Sequence, residues 1–268
     1  MGEAVMTILD KFRIDGQVAI VTGAGRGIGA ATAVALAEAG ADVVISARTE
    51  EQLKEVATTI EATGRRASMV PADLDDTANL GLLVDAAVAD LGRVDIIVNT
   101  VGGAMPTGFM DTTDKFLEHA FHFNVTTALA LSRAAVPKML ETGGGSIVNI
   151  SSVMGRVSGR GYLAYGTAKA ALAHMTRMMA TDLNPRIRVN AIAVGAVATS
   201  ALDIVMSNDE LRGQMEAATP LGRIGDPHEI AAGVLYLCSP AGAFITGKLI
   251  EIDGGTETPT LDMPIPDL

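Results

Sequence analysis

The sequence predicts an α/β protein built on a single-domain, Rossmann-like, doubly wound parallel sheet of about seven strands, with helices on both faces. Three observations carry this expectation. Short β-branched runs alternate with long Ala-rich stretches of helical period. The runs are apolar without strict alternation, as strands buried on both faces are. A glycine-rich turn joins the first run to the first helical stretch, and ligands of such sheets bind at the carboxyl ends of the strands.

The elements follow in order. Strand candidates occupy 18–21, 42–46, 67–70, 94–99, 146–151, 188–194 and 248–252. Between them, the 3.6-residue period predicts helices near 27–39, 50–63, 76–91, 113–140, 162–183 and 227–238. No linker or low-complexity segment interrupts this pattern, so residues 1–268 read as one domain. The three glycines at 143–145 form one loop feeding a strand.

Composition narrows the function. The chain has 268 residues, 49% of them hydrophobic, with a formal net charge of −11. So acidic a chain lacks the basic footprint of a nucleic-acid binder. Its one cysteine, Cys238, lies in an apolar run and permits no internal disulfide. The N-terminus lacks the continuous apolar centre of a signal peptide, and Met6 stands where a myristoylation signal wants Ser or Thr. No run approaches the ~18 apolar residues of a membrane span. These features suit a soluble, cytoplasmic protein with no membrane partner.

The stretch TGAGRGIG, 22–29, lies where the first strand passes into the first helix. Glycines there let the backbone turn sharply, and free N–H groups with the helix dipole favour a pyrophosphate. The spacing is Gly23-x3-Gly27-x-Gly29, not GxGxxG, because Ile28 falls at the last glycine position. A plain tight turn gives the same pattern, so the next strand has to discriminate. An acid about 20 residues on would grip a ribose 2′-hydroxyl. The second strand ends instead in Ala47 and Arg48, and Arg26 lies in the loop. Two arginines and no carboxylate point to a 2′-phosphate, hence NADP with NAD less favoured.

Of three tyrosines, only Tyr165 has a lysine four residues on, Lys169. Residues i and i+4 share a helix face, and a nearby ammonium favours the phenolate. The pair can therefore donate and accept a proton, although an exposed helix face also carries such pairs. Upstream, the strand at 146–151 delivers Ser151 and Ser152 to the ligand crevice, and the strand at 94–99 ends at Asn99 before small residues. His119 and His122 are three apart with no cysteine near, so a helix surface suits them better than a metal.

Taken together, these motifs resemble the short-chain dehydrogenase/reductase family from about Phe12 to Gly255. TGAGRGIG resembles the TGxxxGxG cofactor loop, with Gly23, Arg26, Gly27, Ile28 and Gly29 as its contacts. NTVG, with Asn99 and Gly102, is similar to NNAG, although Thr100 and Val101 replace Asn and Ala. Ser152, thirteen residues before Tyr165, matches the family serine, which decides between it and Ser151. YGTAK matches YxxxK, and Asn124 matches the asparagine of the fourth helix. Asp73 and Leu74 in PADL match the acid beside the adenine and its neighbour. GAVATS, with Val197 and Thr199, resembles PGxxxT, with Val194 in place of proline. IDGG, 252–255, is similar to the C-terminal signature.

The resemblance implies a hydride transfer between NADP(H) and a ketone or secondary alcohol without a metal. Tyr165 would be the acid–base, Ser152 the hydrogen-bond donor to the carbonyl oxygen, and Lys169 the support of the phenolate and the nicotinamide ribose. Asn124 would link Lys169 to a water chain. A sensor or scaffold that binds NADP without turnover is the alternative, and an epimerase or dehydratase is a rival among enzymes. The segment 199–223 sits where the family places its substrate lid, and Leu202, Val205, Met206 and Met215 with Met154 and Val157 suit a bulky steroid-like or 3-oxoacyl substrate. A homotetramer pairing helices 113–140 and 162–183 is expected, with Ala164, Ala168 and Ala171 allowing close approach. The tail 256–268, with Leu261, Met263, Ile265 and Leu268 among three prolines, is expected to be ordered and to pack across a subunit interface.

Overall fold

The computed structural model describes residues 7–261 and 263–267. Met6 and Leu268 therefore lie outside the described residues. Seven strands form one sheet: β1 Val18–Thr22, β2 Asp42–Ala47, β3 Ala67–Pro71, β4 Ile96–Asn99, β5 Gly145–Ser152, β6 Ile187–Val194 and β7 Leu249–Ile252. All neighbours are parallel, in the order β3-β2-β1-β4-β5-β6-β7. The order reverses between β1 and β4, which opens a crevice at their carboxyl ends.

Among the described residues, nine α-helices flank the sheet or carry its loops: α1 Gly27–Glu38, α2 Glu50–Ala62, α3 Leu80–Ala86, α4 Asp114–Phe121, α5 Thr127–Glu141, α6 Leu163–Leu183, α7 Asp203–Met206, α8 Asp209–Ala218 and α9 Pro227–Cys238. The strands look uniformly apolar, yet their side chains still alternate between two cores. Ala19, Val21, Val43, Ile45, Ile96 and Val98 pack with α1, α2 and α9. Ile20, Val44, Ile97 and Ile147 pack on the other side with Leu83, Leu131, Met139 and Met179.

Two predicted helices are less regular than their period suggests. The stretch near 76–91 starts with a tight turn at Thr77–Asn79 and ends in a π-turn at Ala87–Leu91. The stretch 113–140 is divided by a π-turn at His122–Thr126, and that turn carries Asn124. π-turns keep helical side-chain spacing nearly intact, so hydrophobic periodicity does not reveal them. Ala164 and Ala168, assigned above to a contact between subunits, are buried inside the chain against Phe116, Leu117 and Phe121. The exposed apolar residues of α6 are instead Leu163 and Met178.

Candidate active site

The carboxyl ends of the strands open onto a cleft of about 820 Å³. Fourteen of the sixteen residues singled out from the sequence line it. From the cofactor loop come Gly23, Arg26, Gly27, Ile28 and Gly29, and from the end of β2 comes Arg48. Asp73, Leu74 and Gly102 follow β3 and β4, while Val197 and Thr199 follow β6. Ser152, Tyr165 and Lys169 form the wall between β5 and α6.

The glycine loop is sterically specified. Gly23 and Gly27 have φ of 60° and 57°, a region costly for other residues. A Cβ on Gly29 would fall on the Gly23 carbonyl, so this glycine lets α1 start close against the turn. No side chain caps the first turn of α1, whose N–H groups are left for a ligand. An uncapped helix start in a cradle that side chains would fill fits the pyrophosphate of a dinucleotide. Arg26 and Arg48 are exposed at the rim, and β2 ends without a carboxylate. The threonine replacing asparagine in NNAG has a partner: Thr100 donates its hydroxyl to the Thr22 carbonyl, while its own N–H donates to Thr22 Oγ1 at 3.0 Å. Val194, where the family has proline, stays in the sheet between Ser152 and Ile252.

The two serines of β5 have different surroundings. Ser151 donates to the Lys169 carbonyl at 3.0 Å within the core. Ser152 is on the cleft and accepts from the Met154 N–H at 3.2 Å, and its hydroxyl pulls against the effect of burial on the Tyr165 phenol. Two glycines bring these groups together. A Cβ on Gly155 would lie 2.9 Å from the Lys169 backbone, and one on Gly166 would lie 2.7 Å from the Met154 carbonyl. The loop after β5 thus rests directly on the backbone of α6. Sequence reasoning passed over both glycines, although Gly166 stands inside YGTAK.

Lys169 is 3% exposed, and its Nζ donates to the Ile150 carbonyl at 2.9 Å and lies 5.7 Å from the Tyr165 ring centre. Gly102 faces it closely: a Cβ there would be 2.7 Å from Lys169 Nζ and would also overlap Asn124 Oδ1. Asn124 is fully buried behind the cleft. It donates to the carbonyls of Gly103 and Ala120 at 2.9 and 2.8 Å, and accepts from the Gly103 N–H at 2.9 Å. Asn124 thus fixes the Gly102–Gly103 turn that faces Lys169. Asn99, expected as a cofactor contact, does not line the cleft. Its amide donates to Asn149 at 2.8 Å, and Asn149 donates to Thr176 at 2.9 Å, a buried chain tying β4 and β5 to α6.

Burial governs the electrostatics. It raises the Tyr165 phenol, and the Ser152 hydroxyl works in the opposite direction. It lowers Lys169 to about 8. His119, also on the cleft rim, stacks on Phe123 at 6.0 Å, and His122 donates to the Asp75 carbonyl at 2.6 Å.

The lid region is helical, running through a tight turn at Ser200–Leu202 and then α7 and α8. Leu202, Met215 and Met154 line the cleft, whereas Val205 is buried behind it. Val157 instead lines a second cavity of about 700 Å³. The tail rests on its own chain: Thr260 reaches the cleft, and Ile265 lines the second cavity.

With this geometry in view, known proteins give the class. A family model described as enoyl-(acyl carrier protein) reductase matches residues 23–257. The chain belongs to the short-chain dehydrogenase/reductase family, NAD(P)-dependent oxidoreductases acting on CH–OH and C=O groups. It is 59% identical over 262 residues to the uncharacterized oxidoreductase MT0954 of Mycobacterium tuberculosis, covering 97% of this chain and 100% of that one. It is 38% identical to the 7α-hydroxysteroid dehydrogenase of Escherichia coli K12, over 92% of this chain and 96% of the relative. A solved 7α-hydroxysteroid dehydrogenase with NADH and 7-oxo glycochenodeoxycholic acid superposes with a TM-score of 0.89 at 38% identity, covering 94% and 98% of the two chains. The Pseudomonas aeruginosa RhlG/NADP complex gives 0.86 at 34% identity, covering 92% and 98%. No described helix is long and apolar enough to cross a membrane.

Lys169 supplies a test on the folded state alone. Its proton leaves near 8 in the folded chain and near the usual 10.5 in the unfolded chain. Between those values the unfolded state binds more protons, so stability rises with pH through this window. Urea unfolding at pH 7.5 and 9.5 should show the wild type gaining about 1–2 kcal/mol relative to Lys169→Met. Parallel changes in the two proteins would contradict a lowered Lys169.

Proposed function

We propose that the chain transfers hydride between NADP(H) and a bulky, apolar ketone or secondary alcohol, steroid-like or 3-oxoacyl in class. The observation that carries this reading is the convergence of Ser152, Tyr165 and Lys169 on the cleft that the glycine loop also lines. When bound, the nicotinamide supplies or accepts the hydride. Tyr165 gives a proton to the substrate oxygen in reduction and removes it in oxidation. Ser152 hydrogen-bonds the same oxygen as charge develops. Charged Lys169 favours the phenolate, which opposes the upward pull of burial on Tyr165. Asn124 acts as a positioning residue, through the turn that carries Gly102 and Gly103. The pyrophosphate belongs at the uncapped start of α1, with Asp73 and Leu74 at the adenine end and Val197 and Thr199 at the nicotinamide end.

Arg48 and Arg26 at the rim, with Ala47 in place of an acid, favour the 2′-phosphate of NADP. The reading with NAD has its own support, since the related hydroxysteroid dehydrogenase was solved with NADH. Met154, Leu202 and Met215 offer an adaptable apolar wall, and the related dehydrogenase was solved with the bulky 7-oxo glycochenodeoxycholic acid bound. The reduced cytoplasm suits Cys238, whose thiol burial pushes up to about 12.

Tyr165→Phe should lower kcat by about 10²–10⁴-fold while NADPH still binds. Retention of more than about a tenth of wild-type kcat would exclude Tyr165 as the proton carrier. In the same assay, NADPH should exceed NADH in kcat/KM, and Arg48→Ala should narrow the gap. Equal or better use of NADH by the wild type would reject the assignment.

A homotetramer with two-fold interfaces on α5 and α6 is also proposed, now through exposed Leu129, Leu163 and Met178. Light scattering at micromolar concentration should give four times the chain mass, and a monomer would refute it.

A further inference from the structure

We propose that Arg156 is a positioning residue for hydride transfer, fastening the loop that carries Ser152 to the segment 195–199 at the nicotinamide end of the cleft. The proposal rests on the function inferred above and gives a role to a side chain that does not line the cleft. Arg156 closes the tight turn that follows β5. Ser152 starts that turn by accepting from the Met154 N–H at 3.2 Å, and the N–H groups of Arg156 and Val157 both donate to the Val153 carbonyl at 2.8 Å. The Arg156 side chain then leaves the turn for the end of β7. All three of its guanidinium nitrogens are engaged there. Nε pairs with Glu251 at 2.9 Å and Nη1 with Glu257 at 2.6 Å, while Nη2 donates to the Thr256 carbonyl at 2.7 Å and reaches Asp253 at 3.5 Å. The planar fork of an arginine serves such a divergent set at once, which the point charge of a lysine does not.

The inner partners decide where the guanidinium sits. Glu251 and Glu257 are open to solvent, and exposed ion pairs contribute little. The Asp253 side chain is 8% exposed and Thr256 is 1% exposed. The Thr256 hydroxyl donates to the Asp253 carbonyl at 2.7 Å, and the Gly255 N–H donates to the Asp253 carboxylate at 2.9 Å. The turn 253–256 is therefore a closed unit with Arg156 seated on it. Its other side carries the segment 195–199. A Cβ on Gly195 would lie 2.6 Å from Asp253 Cα, and the Gly195 N–H donates to the Ile252 carbonyl at 3.2 Å. Gly195 opens the segment that brings Val197 and Thr199 to the cleft. β5 and β6 pair directly as far as Ser152 and Val194. Beyond those residues both chains leave the sheet, and the link from Arg156 through Asp253 to Gly195 continues where the strand pairing stops. Arg156 thus sets Ser152 against the face that receives the nicotinamide, as Gly155 and Gly166 set it against Tyr165. Hydride donor and acceptor need that register, since a misplacement near ~1 Å costs about 10²-fold in rate.

The test compares the wild type with Arg156→Gln, which loses the charge and the reach to Thr256 and Asp253, and with Arg156→Lys, which keeps a cation without the fork. Amide exchange is followed in 153–157 and 194–198. Hydride transfer is read as the single-turnover rate of NADPH consumption, with enzyme in excess over NADPH and a saturating ketone, a rate that does not depend on the fraction of active enzyme. Exchange should quicken in both segments of Arg156→Gln. Its single-turnover rate should fall roughly tenfold, less than for a full ~1 Å displacement because Gly195 still rests on Asp253. NADPH affinity should change by less than about threefold. Arg156→Lys should lie between the other two on both readouts, and if Arg156→Gln does not fold it carries the test alone, a match to wild type on both readouts then overturning the proposal. Exchange that quickens in 153–157 alone overturns the link to the nicotinamide segment. A rate for Arg156→Gln within about twofold of wild type overturns the positioning role. If the wild type reduces no steroid, 3-oxoacyl or small ketone with NADPH or NADH, the proposed function fails, and exchange still decides whether Arg156 joins the two segments.

Discussion

The site depends on one close approach, the loop after β5 lying backbone to backbone on α6. Gly155 permits it from the loop and Gly166 from the helix. Side chains at either position would push β5 and α6 apart and separate Ser152 from Tyr165. A displacement of that size matters because proton transfer requires the acid within hydrogen-bond reach of the reacting oxygen. The parallel pairing of β5 with β4 and β6 holds the loop from below, and the Ser151 hydroxyl adds a direct tie to the Lys169 carbonyl.

Lys169 links this contact to the cofactor side. Its ammonium sits between the Ile150 carbonyl and the Gly102 turn, and the turn is held by Asn124. Asn124 reaches it from a π-turn, whose wider backbone lets the side chain return to the Ala120 carbonyl while still spanning to Gly103. Burial then acts in opposite directions, raising the tyrosine and lowering the lysine. Each group is displaced toward neutrality, and the Ile150 carbonyl that accepts from Lys169 Nζ supplies partial compensation to the ammonium.

Much of this was legible in the sequence because it rests on local chemistry. β-branched runs and Ala-rich stretches located all seven strands and the main helices, and spacing alone set Tyr165 apart from the other tyrosines. What was not legible depends on direction rather than residue type. Asn99 sits at the end of β4 as expected, yet its side chain turns into the core toward Asn149. Ala164 and Ala168 are small for packing within the chain, and a helix wheel does not say which neighbour a small face meets. Ser151 and Ser152 are chemically equivalent in the sequence and both border the cleft, but the Ser151 hydroxyl is taken up by the Lys169 carbonyl whereas the Ser152 hydroxyl accepts from the Met154 N–H. The contacts of the tail with the loop after β5 join residues about a hundred apart in the sequence, and no local pattern announces them.

Backbone contact, and not the presence of Ser, Tyr and Lys alone, creates the proposed acid–base site. Steady-state turnover of Gly166→Ala with NADPH and a ketone accepted by the wild type tests it most directly, because every reacting side chain is retained. In this variant kcat should fall by about 10²-fold, as for a displacement near 1 Å, with NADPH affinity changed by less than about twofold. A kcat equal to wild type would contradict it.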